Sequence, residues 1–257
     1  MRISLIGAGN LATRLGLALK KVGHEFVQVY SRTEASAGTL AVLLGAEAVV
    51  QPELLSEADL FVCALKDDAL PDVLRKIRFG NRPLIHTAGS LPLDVLQPFS
   101  SRTGVFYPLQ TFSKDREVDF STIPVFLESA DPEVMAILQT LASELHSQVY
   151  QLSSEERLKL HLSAVFACNF VNYLYAISND LLSEQALSFE VLKPLILETA
   201  AKVQSNEPLA VQTGPAVRFD HTVMDKHLAL LGNHPEWKWL YEELSTGIYQ
   251  RTKKSDL

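Results

Sequence analysis

Three groups of residues in this sequence have types and spacing suited to chemistry. The first is Gly7-Ala8-Gly9-Asn10-Leu11-Ala12, with small residues at its first, third and sixth places. Gly7 permits a tight turn, Gly9 lets backbone N–H groups approach an anion, and Ala12 lets a helix pack closely on the preceding strand. A helix opening at Asn10 aims its positive end at the same point, so the run suits the diphosphate of a dinucleotide. In a doubly wound domain without a nucleotide, the same glycines would serve only the turn. The second group is Tyr30-Ser31-Arg32-Thr33. Sites for NAD usually carry Asp or Glu roughly 20 residues past the glycines, to bind the ribose 2′-hydroxyl. Here a guanidinium and two hydroxyls stand instead, which suits a 2′-phosphate. Ser31, Arg32 and Thr33 therefore favour NADP(H) over NAD(H). Glu34, the competing carboxylate, is placed to open the next helix.

The third group lies at strand exits and on a long apolar helix. Hydride transfer belongs to the nicotinamide, so the protein must orient the acceptor, exclude water and supply a proton or hydrogen bond. His161 is the candidate general acid, histidine being the side chain whose ordinary titration lies nearest neutrality; a packed or surface histidine is the alternative. Asn169 follows two helical turns later, about 12 Å along the axis. It is either a core amide or a hydrogen-bond partner for a substrate C=O or C=N group or for the nicotinamide carboxamide. Ala64, Leu65 and Lys66 leave one strand, and His86-Thr87-Ala88-Gly89-Ser90 leave another. Ligands of parallel sheets bind at such exits. The small residues Thr87, Ala88 and Gly89 allow close approach to the nicotinamide half, and Lys66 either neutralises phosphate charge or belongs to a solvated helix entrance. His86 and Tyr107 are candidate substrate contacts. Gln110 can donate to a substrate carbonyl or be an ordinary loop amide. Arg218 can clamp a carboxylate by two parallel bonds or pair with Asp220 or Asp225. His221 and His227 form no metal constellation with a nearby Cys or third His.

The elements that must position these residues follow from apolar spacing. Strands are expected at 3–6, 26–30, 46–50, 59–65, 83–86, 104–107, 124–128 and 148–152, with helices at 10–22, 34–44, about 68–77 and about 131–145. Alternation of strand and helix predicts the α/β class: a doubly wound, mainly parallel sheet with helices on both faces. The composition then shifts, for nine of the twelve glycines precede residue 105 and none lies between Val105 and Thr213. Ser153 and Glu156 stand in capping-box spacing at the head of a helix running to about Leu182. Helices at about 189–205, 220–231 and 236–250 complete a second, all-helical domain, and Pro194 either kinks the first of these or sets its start. The expected domains are 1–152, which binds the dinucleotide, and 153–257, which serves substrate binding and dimerisation.

At 257 residues and 47% hydrophobic content the chain can bury a sizeable core. A net charge of −7 argues against nonspecific nucleic-acid binding. No unbroken apolar run reaches the ~18 residues of a membrane span. Cys63 and Cys168 lie in apolar settings and read as buried thiols of a reducing cytoplasm. The long apolar helix predicts a homodimer through the C-terminal helices.

A dinucleotide-type domain followed by one long helix and a small bundle resembles the superfamily of 6-phosphogluconate dehydrogenase, 3-hydroxyacid dehydrogenases and pyrroline-5-carboxylate reductase. More narrowly, four motifs resemble those of bacterial proteins provisionally named NADP oxidoreductases, which join a Rossmann-like domain to a C-terminal domain of unknown function. They are His86–Ser90, Tyr107–Phe112, His161–Asn169 and Thr213–Asp220. The resemblance spans nearly the whole chain and implies the Rossmann fold and the cofactor better than the substrate. One departure is chemical. Many hydroxyacid dehydrogenases place a catalytic Lys four residues before an Asn on the long helix, whereas here Val165 stands four before Asn169 and Lys159 ten before it. The expected activity is hydride transfer to or from a small polar C=O or C=N substrate bound between the domains. The alternative is an NADP(H)-binding regulatory or partner-binding protein that kept the fold without turnover.

Overall fold

The computed structural model describes residues 1–56 and 58–255. Two compact units divide the chain, Met1–Asn169 and Phe170–Leu257. The sheet ends at Gln151, and the opening turns of the next helix pack on it and belong to the first unit.

In the first unit eight strands form one sheet in the order β3-β2-β1-β4-β5-β6-β7-β8. They are β1 (Arg2–Ile6), β2 (Glu25–Tyr30), β3 (Glu47–Val49), β4 (Leu60–Cys63), β5 (Leu84–His86), β6 (Thr103–Pro108), β7 (Pro124–Glu128) and β8 (Gln148–Gln151). Neighbours run parallel except β6 and β7, which pair antiparallel; β8 then runs parallel to β7. Four helices flank the strands: α1 (Asn10–Lys21), α2 (Glu34–Leu44), α3 (Leu70–Leu74) and α4 (Pro132–Glu144). Successive strand residues face opposite sides. Ile3 and Leu5 therefore pack with Leu15 and Leu19 of α1, Leu44 of α2 and Leu138 of α4. Ile6, Phe61 and Cys63 pack on the other face with Leu70 and Leu74 of α3. Farther along that second face Val105, Tyr107 and Phe126 make a third cluster, covered by Leu160. Burial of each such leucine contributes ~1.5–3 kcal/mol.

The helix expected over 68–77 is shorter. A 3₁₀ turn over Asp67–Ala69 leads into α3, with Pro71 in its first turn, and the chain leaves at Arg75. Other expected elements appear within a few residues of their predicted ends. Gly45, at φ +72°, closes α2 in the left-handed region open to glycine.

The long helix is one continuous run with a π-turn inside it: α5 (Ser154–Ala164), the π-turn Val165–Phe170 and α6 (Val171–Ser183). Its capping box forms as expected, with both the Ser153 and Glu156 side chains bonded back to backbone N–H groups. The run Ser154–Ser183 is long and apolar enough to cross a membrane by length and composition, which corrects the reading that no segment reaches that size. The isolated polar residues that break its apolar sequence do not interrupt the helix. A core helix of a soluble protein passes the same test, but such a helix is mostly buried, whereas the apolar window here is uncovered within the chain.

The second unit holds α6, a 3₁₀ turn over Phe189–Leu192, α7 (Lys193–Ser205), α8 (His221–Leu230) and α9 (Pro235–Ser255). Pro194 lies in the first turn of α7, so it marks a start and not a kink. Met224 and Leu231 are buried, and Phe219 stacks on Tyr249 with ring centroids 4.4 Å apart. Much apolar surface of α6 and α7 stays exposed, including Tyr173, Leu195 and Leu197.

Gly104 tests the packing of α4 on β6. A Cβ there would lie 2.9 Å from Val134 Cγ1 and 3.0 Å from Leu138 Cδ1. Gly104→Ala should lower stability by ~1–3 kcal/mol, the usual cost of overpacking, seen as an earlier midpoint in urea unfolding.

Candidate functional site

The first pole of the site is the corner where β1, β2 and β4 meet. Gly7 has φ +122°, and a Cβ on it would lie 2.4 Å from the Ala64 carbonyl oxygen. Its N–H donates to Tyr30 O at 2.9 Å, while Ala64 N–H donates to Ile6 O at 2.8 Å. Only a residue without a side chain fits this junction. Gly9 is the N-cap of α1, with no capping side chain and no acidic residue in the first turn. The leading N–H groups of α1, at Asn10, Leu11 and Ala12, are thus left to an outside acceptor at the positive end of the helix. Ala12 is buried against the sheet. The Asn10 amide donates to Phe112 O at 2.8 Å and Arg14 Nε to Ser113 O at 2.9 Å, drawing that segment alongside α1. This corner fits a dinucleotide diphosphate.

At the end of β2, Ser31 N–H donates to Val49 O, Arg32 and Thr33 are exposed, and Thr33 Oγ1 bonds Ser36 Oγ at the start of α2. Glu34 occupies the first turn of α2. Arg32 and Thr33 are thus exposed at the strand end, with Ser31 half-buried beside them.

The second pole lies at the exits of β5 and β6. Tyr107 Oη and His161 Nδ1 are 3.1 Å apart, and the two rings meet edge to face. Gly89 lies against both: a Cβ there would be 2.7 Å from His161 Nδ1 and 2.7 Å from Tyr107 Cζ. Three residues singled out from separate parts of the chain thus touch. Burial pushes the Tyr107 phenol up, against an opposing pull from the charge of Arg157. A phenol that keeps its proton donates to Nδ1, which puts the proton of a neutral imidazole on Nε2.

His86 is placed differently from its expectation as a substrate contact. Its ring is fully buried, and Nδ1 accepts from Ala88 N–H at 3.2 Å. Burial, then the nearby Arg157 charge, lower its pKa to about 4. A neutral ring out of solvent's reach shapes the Thr87–Gly89 turn instead of meeting a substrate. Thr87 N–H donates to Cys63 O at 3.1 Å, fastening the same turn to β4. Ser90 bonds the Asp67 carboxylate, and Lys66 is exposed at the head of the 3₁₀ turn. Ala64 and Leu65 are half-buried beside the glycine corner.

Gln110 is exposed, with its Oε1 accepting from Thr111 N–H at 2.8 Å. Asn169 is exposed in the π-turn and so is not a core amide within the chain. Single π-turns of this kind recur at functional sites. Arg218 is exposed in the second unit, beside Phe219 at φ +53° and next to Asp220, which caps α8 through Val223 N–H. Cys63 is buried, its thiol pushed up to about 12 by burial, whereas Cys168 is exposed, against the expectation of two buried thiols. No metal-holding group of His, Cys, Asp or Glu occurs among the described residues.

Sequence reasoning passed over Arg157. Its side chain is 1% exposed and paired with Glu128, and Nη2 also reaches Leu91 O. The available signal was its spacing: three residues before Leu160 and four before His161, it shares their inward face of the helix.

Comparison with known proteins gives concordant results. A Rossmann-like domain matches residues 1–111 and a domain of unknown function, DUF2520, matches residues 123–248. The chain is similar to a Bacteroides fragilis protein provisionally named an NADP oxidoreductase, at 47% identity and TM-score 0.93, covering 97% of this chain and 98% of that one. A Thermotoga maritima protein shares the fold at 20% identity and TM-score 0.75, covering 99% of this chain and 100% of that one. An imine reductase from Myxococcus stipitatus, in complex with NADP+, shares it at 15% identity and TM-score 0.65, covering 99% and 94%. No curated protein matches.

The buried imidazole makes stability depend on pH. A ring that titrates near 4 when folded and near its ordinary 6.5 when unfolded contributes fully above pH 6.5 and loses its contribution as pH falls toward 4. The loss amounts to about 3 kcal/mol at most. His86→Asn, whose amide oxygen can still accept from Ala88 N–H, should flatten the pH 4–6.5 slope of urea-unfolding stability.

Proposed function

Since this chain belongs to the family that joins a Rossmann-like domain to a helical DUF2520 domain, we propose that it is an NADP(H)-dependent oxidoreductase acting on a small polar C=O or C=N compound. The observation that carries this reading is the pairing of an uncapped, side-chain-free corner at Gly7–Gly9 with a Tyr107–His161 hydrogen bond resting on Gly89. Both lie at the carboxyl ends of parallel strands, where such sheets bind ligands. The relatives' cofactor, NADP, supports the same choice that Ser31, Arg32 and Thr33 suggest.

In this reading the backbone N–H groups of Asn10, Leu11 and Ala12 hold the diphosphate, and Arg32 with Ser31 and Thr33 holds the 2′-phosphate. Thr87, Ala88 and Gly89 present a small-residue surface to the nicotinamide half. When bound, the nicotinamide supplies or accepts the hydride. His161 gives its Nε2 proton to the substrate heteroatom as Nδ1 takes the phenol proton of Tyr107, and the pair regains one proton from solvent afterwards. With Val165 in place of a lysine, this pair is the proton-bearing group. Asn169, Gln110 and Arg218 are the proposed polar contacts for substrate.

We assign the exposed apolar side chains along the long helix, among them Leu158, Leu162, Phe166 and Tyr173, to the interface of a homodimer formed through the C-terminal helices. The free thiol of Cys63 suits a reducing compartment, the cytoplasm.

Titration calorimetry should show NADPH binding more tightly than NADH. Arg32→Ala should weaken NADPH by ~10- to 100-fold, the worth of one charged hydrogen bond, and leave NADH nearly unchanged. Incubation with NADPH and a panel of ketoacids and cyclic imines should lower absorbance at 340 nm for one class, and His161→Gln should slow that turnover by ~10²- to 10⁴-fold. Tight binding with no substrate turned over would instead favour the regulatory reading. Sedimentation at increasing concentration should give twice the chain mass, and Phe166→Asp should return it to the chain mass.

A further inference from the structure

We infer that Arg157 is a positioning residue that holds α5 in the one placement where His161 meets Tyr107 over Gly89. The inference deepens the reading of that pair as the proton-bearing group and rests on it.

Three segments converge on Arg157. Nη1 pairs with Glu128 at the end of β7, and Nη2 donates to Leu91 O, two residues past Gly89. Ser154, at the first turn of α5, ties in the same groups. Its N–H and Oγ both donate to Glu128 at 2.9 Å, and its Oγ accepts from Leu93 N–H at 2.9 Å. Arg157 Nη2 also lies 3.4 Å from Ser154 Oγ. The start of α5, the end of β7 and the chain leaving the Gly89 turn are therefore linked through one carboxylate and one guanidinium. His161 is one helical turn beyond Arg157, on the same face. Whatever fixes Arg157 fixes the height and rotation of His161 relative to Gly89.

Energetics favour positioning over bulk stability as the reason for this pair. Taking two charges out of water costs several kcal/mol per ion, and well-packed apolar residues commonly stabilise such a site equally well. The planar guanidinium offers what they lack: hydrogen bonds in fixed directions to two separate chain segments. Leu160 supplies apolar cover for Tyr107 and Phe126 from the same helix but does not by itself set a rotation.

The test uses the full chain labelled with ¹⁵N-histidine. In the parent protein Tyr107→Phe should move the His161 ring-nitrogen resonances, because Nδ1 loses its partner. In Arg157→Met that response to Tyr107→Phe should be lost, and in Arg157→Lys partly restored. NADPH affinity by calorimetry should fall by less than tenfold in both, since the Gly7–Ala12 corner and Arg32 lie on other elements. If Arg157→Met does not fold, Glu128→Gln decides alone: it keeps an acceptor for Ser154, removes the charge and should weaken the response. A full response in folded Arg157→Met, or in Glu128→Gln where the Met variant does not fold, would overturn the inference, as would a parent protein whose His161 resonances ignore Tyr107→Phe. Absence of turnover with every substrate, alongside an intact dependence on Arg157, would count against the proposed activity and not against the positioning role.

Discussion

The structure depends on the absence of a side chain at two places where backbone and ring atoms come too close to admit a methyl group. At Gly7 the neighbour is the Ala64 carbonyl oxygen, so β1 can turn into α1 only while β4 passes directly beneath it. At Gly89 the neighbours are the Tyr107 and His161 rings. The first closeness leaves the N–H groups of a helix unshielded. The second lets a histidine and a tyrosine, distant in the chain, share a proton-bearing contact beside a bare backbone. Each is a steric condition with an electrostatic result, and the sheet exists in part to hold both conditions at the same edge.

Much of the first condition was legible because it is local. A strand, two glycines and a helix fall within the first 21 residues, and the spacing of their apolar side chains reports each element directly. The missing carboxylate after Tyr30 is likewise a local fact. The second condition was legible only in its parts. Tyr107 and His161 stand 54 residues apart, and nothing in either neighbourhood specifies the contact. Strand order and the direction of β7 decide it, and single-chain periodicity does not report these. His86 shows the same limit, for a strand-exit histidine can point into a cleft or into the core, and here the ring turns inward. Arg157 escaped notice for the opposite reason. A cation near a helix start looks solvated unless its partner, far back in the chain, is known to end a buried strand.

The long helix separates length and composition from role. Its residues satisfy the size of a membrane span, yet its opening turn carries a buried arginine bonded to the sheet. Beyond that turn the apolar side chains are largely uncovered within the chain, from Leu162 through Tyr173. The π-turn Val165–Phe170 lies within this uncovered stretch and holds the exposed Asn169. The extra residue of a π-turn changes which face the following helix shows. One continuous helix thus packs on the sheet with its first part and leaves apolar side chains exposed along its second.

The reversal of direction between β6 and β7 acts as a ruler. Because β7 pairs antiparallel with β6, Glu128 comes level with Val105, and Leu127 with Phe106. The helix that starts beside Glu128 must therefore climb along the sheet toward the ends of β5 and β6, not descend from them. From Val105 to Tyr107 is two strand steps, about 6.6 Å at the usual rise. From Arg157 to His161 is one helical turn, about 6 Å. The two rises are alike, in keeping with Arg157 bonding Glu128 while His161 reaches Tyr107 one turn later. Had the last two strands run with the rest, the same helix would have begun at the far end and carried its histidine past the edge of the sheet.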